Sequence, residues 1–593
     1  MSKTTVVCVC TALVLALTCA GAGATTYYVE IDAAGGDGLT WGNAFGDLQD
    51  ALDVATSGDE IWVAEGVYIP SDKTDAGNDR SATFGLLDGV EIYGGFPDGG
   101  GTMTDRNIEL YETILSGDLG SDDSPSVPFQ GYIENAYHVV DGSGSDTGAR
   151  LDGFTIIGGS ANVPNDHETA WGGGIYFFAG DGVGPNSGEA TIINCTFKLN
   201  QAVAGGGALI YRGTPLFEHC TFWRNRAITS TYATGGGLYN TSGVGENVGF
   251  GDMTIKDCRF IENTSARYAG GSCSGNNVPL YVNCDFVGNT VTGTLGQTGA
   301  ALSIGCGSST GNCSGTPKVV NCTFVRNKML DGDGAGGFYF EKDTVIEIHN
   351  SIFWENEDVD GINEDAQIEA PDDALVKVTH TNIDGLDPSG WYATGDDVGN
   401  IDVEPDFLQM AYSPDDPGGN ALNVLVGNTH VLTGSPTNDV GNNSEIPSGV
   451  TLDRDGIDRT LDDGGGADVD LGPYEFGYPY LLADGVAGTS FSFHAFNRYI
   501  DPRSETSDGS TLDRGISQVT LVFSEQVRDV GASGTAETLS PSSFYVMETG
   551  GASPPTVECV CYRYGHRITL TAPKGIEAAS MDASALSPKR RLK

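Results

Sequence analysis

One frame recurs six times between residues 194 and 356 and limits what this chain can fold into. It reads Asn194-Cys195-Thr196-Phe197 with Asn200, His219-Cys220-Thr221-Phe222 with Asn225, and Asp257-Cys258-Arg259-Phe260 with Asn263. It continues as Asn283-Cys284-Asp285-Phe286 with Asn289, Asn321-Cys322-Thr323-Phe324 with Asn327, and Asn350-Ser351-Ile352-Phe353 with Asn356. An apolar residue stands three positions before each Cys, or before Ser351: Ile192, Phe217, Ile255, Tyr281, Val319 and Ile348. A glycine cluster and a short strand-like run precede each unit, the clusters starting at Gly172, Gly205, Gly235, Gly270, Gly299 and Gly336.

Cys and Phe are two apart, so on a strand they share a face while Thr196 or Arg259 points the other way. The residue before Cys is Asn, His or Asp, types that tolerate the left-handed backbone of a tight corner. Short strands joined by corners, repeated at this period, predict an all-β, right-handed parallel β-helix. Stacking coil on coil puts like residues on like. That gives ladders of Cys195, Cys220, Cys258, Cys284 and Cys322, of Phe197 through Phe353, and of Asn200 through Asn356. The Cys spacing alternates, 25, 38, 26, 38 and 29 residues. Every second coil therefore carries a longer loop, at 179–188, 241–251 and 305–316, and these are expected to project from one side as a ridge.

Lys3, the apolar run Val6 to Ala20 and the small residues Ala22-Gly23-Ala24 read as a secretory signal peptide over 1–24, cleaved after Ala24. No later segment is long and apolar enough for a transmembrane helix. The expected address is secreted or associated with the cell surface or outer membrane. Thirteen cysteines then matter, because ten of them enter an oxidising compartment. Cys306 and Cys313, in one glycine-rich loop, are the disulfide candidates. Cys273 is expected to point inward. A net charge of −50 argues against nucleic acid and polyanionic partners.

A solenoid must hide its ends. Phe45, Leu48, Leu52 and Ala55 have the spacing of an N-terminal capping helix, and 25–476 reads as β-helix with both caps. Val376 to Ile383 reads as a further coil. Ser435-Pro436 and Asp468 to Phe476 are expected to close it. Over 477–593 alternating runs such as Gln518 to Glu525 and Arg567 to Thr571 suggest an immunoglobulin-like β-sandwich, read as truncated because the end supplies no closing strand.

Gly173-Gly174-Ile175, Gly206-Gly207-Ala208 and Gly236-Gly237-Leu238, with the six Phe-x-x-Asn units, resemble the polymorphic outer membrane protein repeat. Residues 25 to 476 are similar to large secreted β-helix proteins of environmental bacteria. Shared features are Trp41-Gly42-Asn43-Ala44-Phe45, Gly58-Asp59-Glu60-Ile61-Trp62-Val63 and the two closing segments. The tail from Gly515 is similar to bacterial surface immunoglobulin-like domains. The resemblance implies a cell-surface or extracellular β-helix protein. Autotransported members of the repeat family end in a β-barrel that this chain does not show, which leaves anchoring open.

For chemistry, the strand after each glycine cluster is expected to present Tyr176, Leu209, Tyr239, Ser274, Ser303 and Tyr339 outward, with no acid among them. Tyr176, Tyr239 and Tyr339, flanked by Trp171, form a candidate sugar-stacking strip, set against an ordinary ladder of exposed aromatics. Asp453, Asp455 and Asp458 are candidate Ca²⁺ ligands, set against a simple closing turn. The expected role is adhesion or carbohydrate binding, with a polysaccharide or cell-surface glycan as partner. The alternative is a polysaccharide lyase or glycoside hydrolase on the pectin-lyase-like fold, with no catalytic residue assigned. A purely structural surface role is the third reading. Oligomeric state is not legible in the sequence.

Overall fold

The computed structural model describes residues 24–124, 127–164, 166–178, 188–228, 233–242, 253–275, 277–293, 298–305, 315–332, 334–340, 345–369, 375–387, 398–407, 429–431, 435–460 and 468–475, and strand backbone between 499 and 588. The segments 1–23, 179–187, 243–252 and 306–314 lie outside the described residues. The signal peptide, most of the three long loops and the Cys306–Cys313 candidate fall there.

The middle coils run through three long parallel sheets and one short one. In the coil after the first glycine cluster, Thr191–Ile193 belongs to an 11-stranded first sheet and Thr196–Lys198 to a 10-stranded second sheet. Gln201–Ala202 belongs to a 6-stranded third sheet and Ala208–Tyr211 to a 9-stranded fourth sheet. Strands of successive coils pair parallel and in register, as Phe197 with Phe222 and Phe260 with Phe286. This is an all-β, right-handed parallel β-helix, the hand that parallel crossovers take almost without exception.

The corner before each Cys is left-handed: φ is 53° at Asn194, 52° at His219, 55° at Asp257, 52° at Asn283, 53° at Asn321 and 51° at Asn350. A second left-handed corner separates the second and third sheets, at Leu199, Arg224, Glu262, Gly288, Arg326 and Glu355. Leu, Arg and Glu are not types that advertise such a corner. The following Asn holds it instead.

Each ladder Asn uses its whole amide. Asn225 Nδ2 donates to Phe197 O at 2.8 Å and to Asn263 Oδ1 at 3.0 Å, and its backbone N–H donates to the same Oδ1 at 3.0 Å. The pattern repeats from Asn200 to Asn356, where Gln367 Oε1 takes over as acceptor. Phe197, Phe222, Phe260, Phe286, Phe324 and Phe353 stack at centroid distances falling from 4.9 to 4.4 Å. The glycine clusters lie where coils pass closest: a Cβ on Gly206 would sit 2.5 Å from the carbonyl oxygens of both Arg226 and Gly236.

The helix Leu48–Leu52 buries Leu48, Ala51 and Leu52 at the first coil, and Asp47 caps it by accepting from Gln49 N. Strands Leu375–Thr379 and Asn382–Ile383 form the further coil. The segments expected to close the far end do something else. They run back along the outer side of the second sheet as a strap. Asn350 Nδ2 donates to Asn442 O at 3.1 Å, Asn283 Nδ2 to Leu452 O at 3.0 Å, and Tyr474 Oη to Asp285 Oδ2 at 2.8 Å. The physical reason is an apolar outer row, Val287, Val325 and Trp354, which the strap covers with Phe407, Val431 and Leu471.

Beyond residue 498 the described strands are antiparallel, Ile516–Val522 pairing with Arg567–Thr571 and that with Glu558–Cys561. Among the described residues no helix is long and apolar enough to cross a membrane.

Candidate functional site

The fourth sheet faces the core with Ile175, Ala208, Leu238, Leu302 and Phe338, all fully buried. Alternation then turns the next residue outward. The outward row reads Asp141, Tyr176, Leu209, Tyr239, Cys273, Ser303, Tyr339 and Glu369. Tyr176, Tyr239 and Tyr339 therefore share one row, which carries an acid at each end.

Two expectations change here. Cys273, not Ser274, stands in the outward row, and Ser274 turns inward. The cause is a shifted start of that coil's cluster. Ala269, with φ 37°, occupies the left-handed place that Gly172, Gly205 and Gly235 take at 70°, 66° and 62°. Counting from Gly270 therefore displaces the whole strand by one, and one residue reverses its facing.

The three tyrosines are not equally accessible. Tyr176 and Tyr339 retain 5% and 4% exposure, while Tyr239 and Trp171 are half-buried. Leu209 separates Tyr176 from Tyr239, and two coils separate Tyr239 from Tyr339. What the structure gathers is a patch on the first of these coils. A second outward row adds Phe178 and Tyr211, both half-buried, whose rings stack at 5.0 Å and 19°. Tyr176 lies 6.0 Å from Phe178 with rings nearly parallel, and Trp171 lies 5.9 Å from Tyr211. His138 stacks on Tyr176 at 4.5 Å, and exposed His167 meets Trp171 edge-on at 3.9 Å.

Local sequence builds this patch. Ile175–Phe178 and Ala208–Tyr211 each place an outward ring or Leu at their second position and a ring at their fourth. The helix His167–Ala170, capped by Asp166 on Glu168 N, delivers Trp171 to the edge. Burial, with Asp141, Glu168 and Asp166 nearby, raises the Tyr176 phenol above its ordinary value. It stays a neutral donor. Its hydroxyl has no hydrogen-bond partner among the described residues. The result is a set of half-buried flat rings beside a carboxylate row end, suited to a ligand with C–H faces. Phe178, Tyr211 and His138 were absent from the sequence reading. Alternation from Tyr176 to Phe178 and from Leu209 to Tyr211 was the available signal.

A second aromatic row was also missed. On the first sheet Tyr28, Trp62 and Tyr93 stand in register on three consecutive strands, all half-buried. Two positions earlier on the last two strands, Glu60 and Glu91 are direct register partners. Trp62 Nε1 donates to Glu60 Oε2 at 2.8 Å, and Tyr93 Oη donates to Glu91. The repeated Glu-Ile-aromatic triplets at 60–62 and 91–93 were the signal.

Asp453, Asp455 and Asp458 do not converge. Asp453 Oδ1 accepts from the backbone N–H of Asp455 and Ile457, and Oδ2 from Glu475 N. Asp455 pairs with His430 Nε2 at 2.7 Å, and Asp458 accepts from Thr460. These carboxylates hold the strap's turn.

The ladder thiols are inert by position. Each of the five is buried, and each Sγ donates to carbonyls, as Cys258 to Phe217 O at 3.5 Å. Burial pushes the Cys195 thiol up to about 12 and those of Cys220 and Cys284 well above their usual value. We expect iodoacetamide at pH 8 to leave all five unlabelled in the native protein and to label them in denaturant, read by peptide mass spectrometry. Native labelling of the ladder would contradict this packing.

No protein family matches this chain, and no curated protein matches it. Among solved structures it is similar to the pectate lyase Pel9A, at 12% identity and a TM-score of 0.35, covering 76% of this chain and 96% of that one. It is also similar to a rhamnogalacturonan lyase, at 11% identity and TM-score 0.29 over 65% and 91% of the two chains. A third is XylC in complex with xylose, at 12% identity and TM-score 0.30 over 66% and 88%. Function has to be read from this chain's own residues.

Proposed function

We propose that this chain is exported and acts outside the cell as a carbohydrate-contacting β-helix, holding a polysaccharide or cell-surface glycan rather than cutting it. The observation that supports this reading is the outward patch of the fourth sheet, where half-buried Trp171 and Phe178 both pack against half-buried Tyr211. A net charge of −50 makes a neutral glycan a better ligand than a polyuronate, which the surface would repel. Tyr211→Ala removes the ring central to the patch without opening the core. It is expected to weaken binding to a neutral polysaccharide by about tenfold, about 1.4 kcal/mol, in affinity electrophoresis. Unchanged mobility of Tyr211→Ala and Trp171→Ala would sink the proposal.

A cleaving enzyme has one observation in its favour. Glu60 and Glu91 are register partners on adjacent coils beside Trp62 and Tyr93, and parallel strands about 4.8 Å apart suit the carboxylate spacing of a retaining glycosidase, about 5 Å.

A further inference from the structure

The 117–139 segment leaves the strand Thr113–Ser116 of the second sheet and re-enters the fourth sheet at Val140–Asp141. On the way it covers the open edge of the third sheet, whose first strand is Ser160–Ala161. Ser160 N donates to Ala136 O at 2.8 Å, and Ser160 Oγ to Tyr132 O at 3.1 Å. Tyr132 Oη reaches Leu199 O at 2.8 Å, and Arg80 Nε donates to Asn135 O at 2.7 Å. Covering this edge keeps a stacked parallel sheet from pairing with another chain.

Within this cover Asp118, Asp122, Asp123 and Glu134 bring one oxygen each within 4.8 Å of one another. None has an ion-pair partner among the described residues. Four like charges at this spacing repel unless something positive or a proton stands between them.

Buried oxygens without donors are the second observation. Asp123 Oδ1 and Glu134 Oε1 are both buried and unpartnered. A Cβ built on Gly120 would lie 3.0 Å from Glu134 Oε1 and 3.3 Å from Asp122 Oδ1, so these two oxygens share one small space. Asn135 is fully buried. Its Nδ2 donates to Asp123 Oδ2 at 2.9 Å and to Gly158 O at 2.6 Å, which seats the amide on the cluster, yet its Oδ1 has no donor. Leaving Asp123 Oδ1 and Glu134 Oε1 buried and unmatched is costly, whereas a cation between them would satisfy both.

We propose that Asp118, Asp122, Asp123 and Glu134 form a Ca²⁺ site that fastens the edge cover to the wall of the solenoid. The donors are all hard oxygens, with several carboxylates and no His or Cys, the set that Ca²⁺ takes with flexible geometry. Mg²⁺ demands a tighter octahedron and keeps its waters. In the metal-free state burial, followed by the neighbouring carboxylates, pushes the Asp123 carboxyl up to about 6 and raises that of Glu134.

The test melts the full mature chain in chelator, in millimolar Ca²⁺ and in millimolar Mg²⁺, beside Asp122→Asn and Asp123→Asn/Glu134→Gln. Ca²⁺ is expected to raise the wild-type transition by about 2 °C or more. Mg²⁺ should give a clearly smaller rise. The double variant should lose the rise while melting in chelator at or above wild type, because the repulsion is gone. Asp122→Asn, whose side chain is exposed, tests the same loss if the double variant does not fold; its Ca²⁺ affinity by calorimetry should fall at least tenfold. An absent rise, an equal rise with Mg²⁺, or a rise retained in the variants would overturn the site.

Discussion

Asn263→Ala is expected to lower the unfolding free energy by about 4 kcal/mol, measured by urea denaturation of the mature chain. Asn263 is fully buried and works in both directions along the stack. Its Oδ1 accepts from the backbone N–H and the side-chain amide of Asn225, each at 3.0 Å. Its Nδ2 donates to Phe222 O at 2.8 Å and to Asn289 Oδ1 at 3.0 Å. Alanine leaves the Asn225 N–H and the Phe222 carbonyl without those partners in a dry interior. Each orphaned group costs about 1–3 kcal/mol, and the lost amide leaves a cavity besides. Thr221→Ala, on the outward side of the preceding coil, should stay within about 0.5 kcal/mol. Equal effects of the two substitutions would mean that the Asn ladder does not hold the second corner.

Phe260→Ala should cost about 3–5 kcal/mol in the same measurement. The ring lies between Phe222 at 4.8 Å and Phe286 at 4.7 Å, nearly parallel to both. Removing it opens a cavity across three coils, and in-register strands on either side prevent the wall from collapsing into it. Each lost aromatic contact adds about 0.5–1.5 kcal/mol to the area term. Phe260→Leu keeps most of the volume and should cost less than about 1.5 kcal/mol. If leucine proves as damaging as alanine, backbone strain rather than ring packing dominates this position. Because each coil contacts only its neighbours, both substitutions act on the middle of a one-dimensional stack and weaken the coupling of its two halves.

The repeated frame made the ladders and the first corner legible. Asn194, His219 and Asp257 advertise a left-handed residue by type, and Cys and Phe two apart declare a shared face. The second corner was hidden, because Leu199, Arg224 and Glu262 are forced into the left-handed region by the Asn that follows each of them. Cys273 was misplaced because Ala269 substitutes for a glycine that the count assumed. The strap was invisible for another reason. Its contacts join Asp257 to Arg454 and Asp285 to Tyr474, pairs far apart in sequence that no local pattern links.

The aromatic patch was half legible. Tyr176 and Tyr239 were found by periodicity along the row, but Phe178 and Tyr211 required reading two residues further along each strand. Exposure was not legible at all, since alternation gives facing and not what lies over it. The acidic site depends on a loop that brings Glu134 back to Asp118, a fold-back that spacing alone does not show.

The most direct measurement is incubation of the purified mature chain with immobilised neutral polysaccharides, following retention of protein and release of reducing ends together. Retention without release, lost in Tyr211→Ala, is the predicted result. Release of reducing ends that disappears in Glu60→Gln or Glu91→Gln would contradict the proposed function and place the chemistry on the first sheet instead.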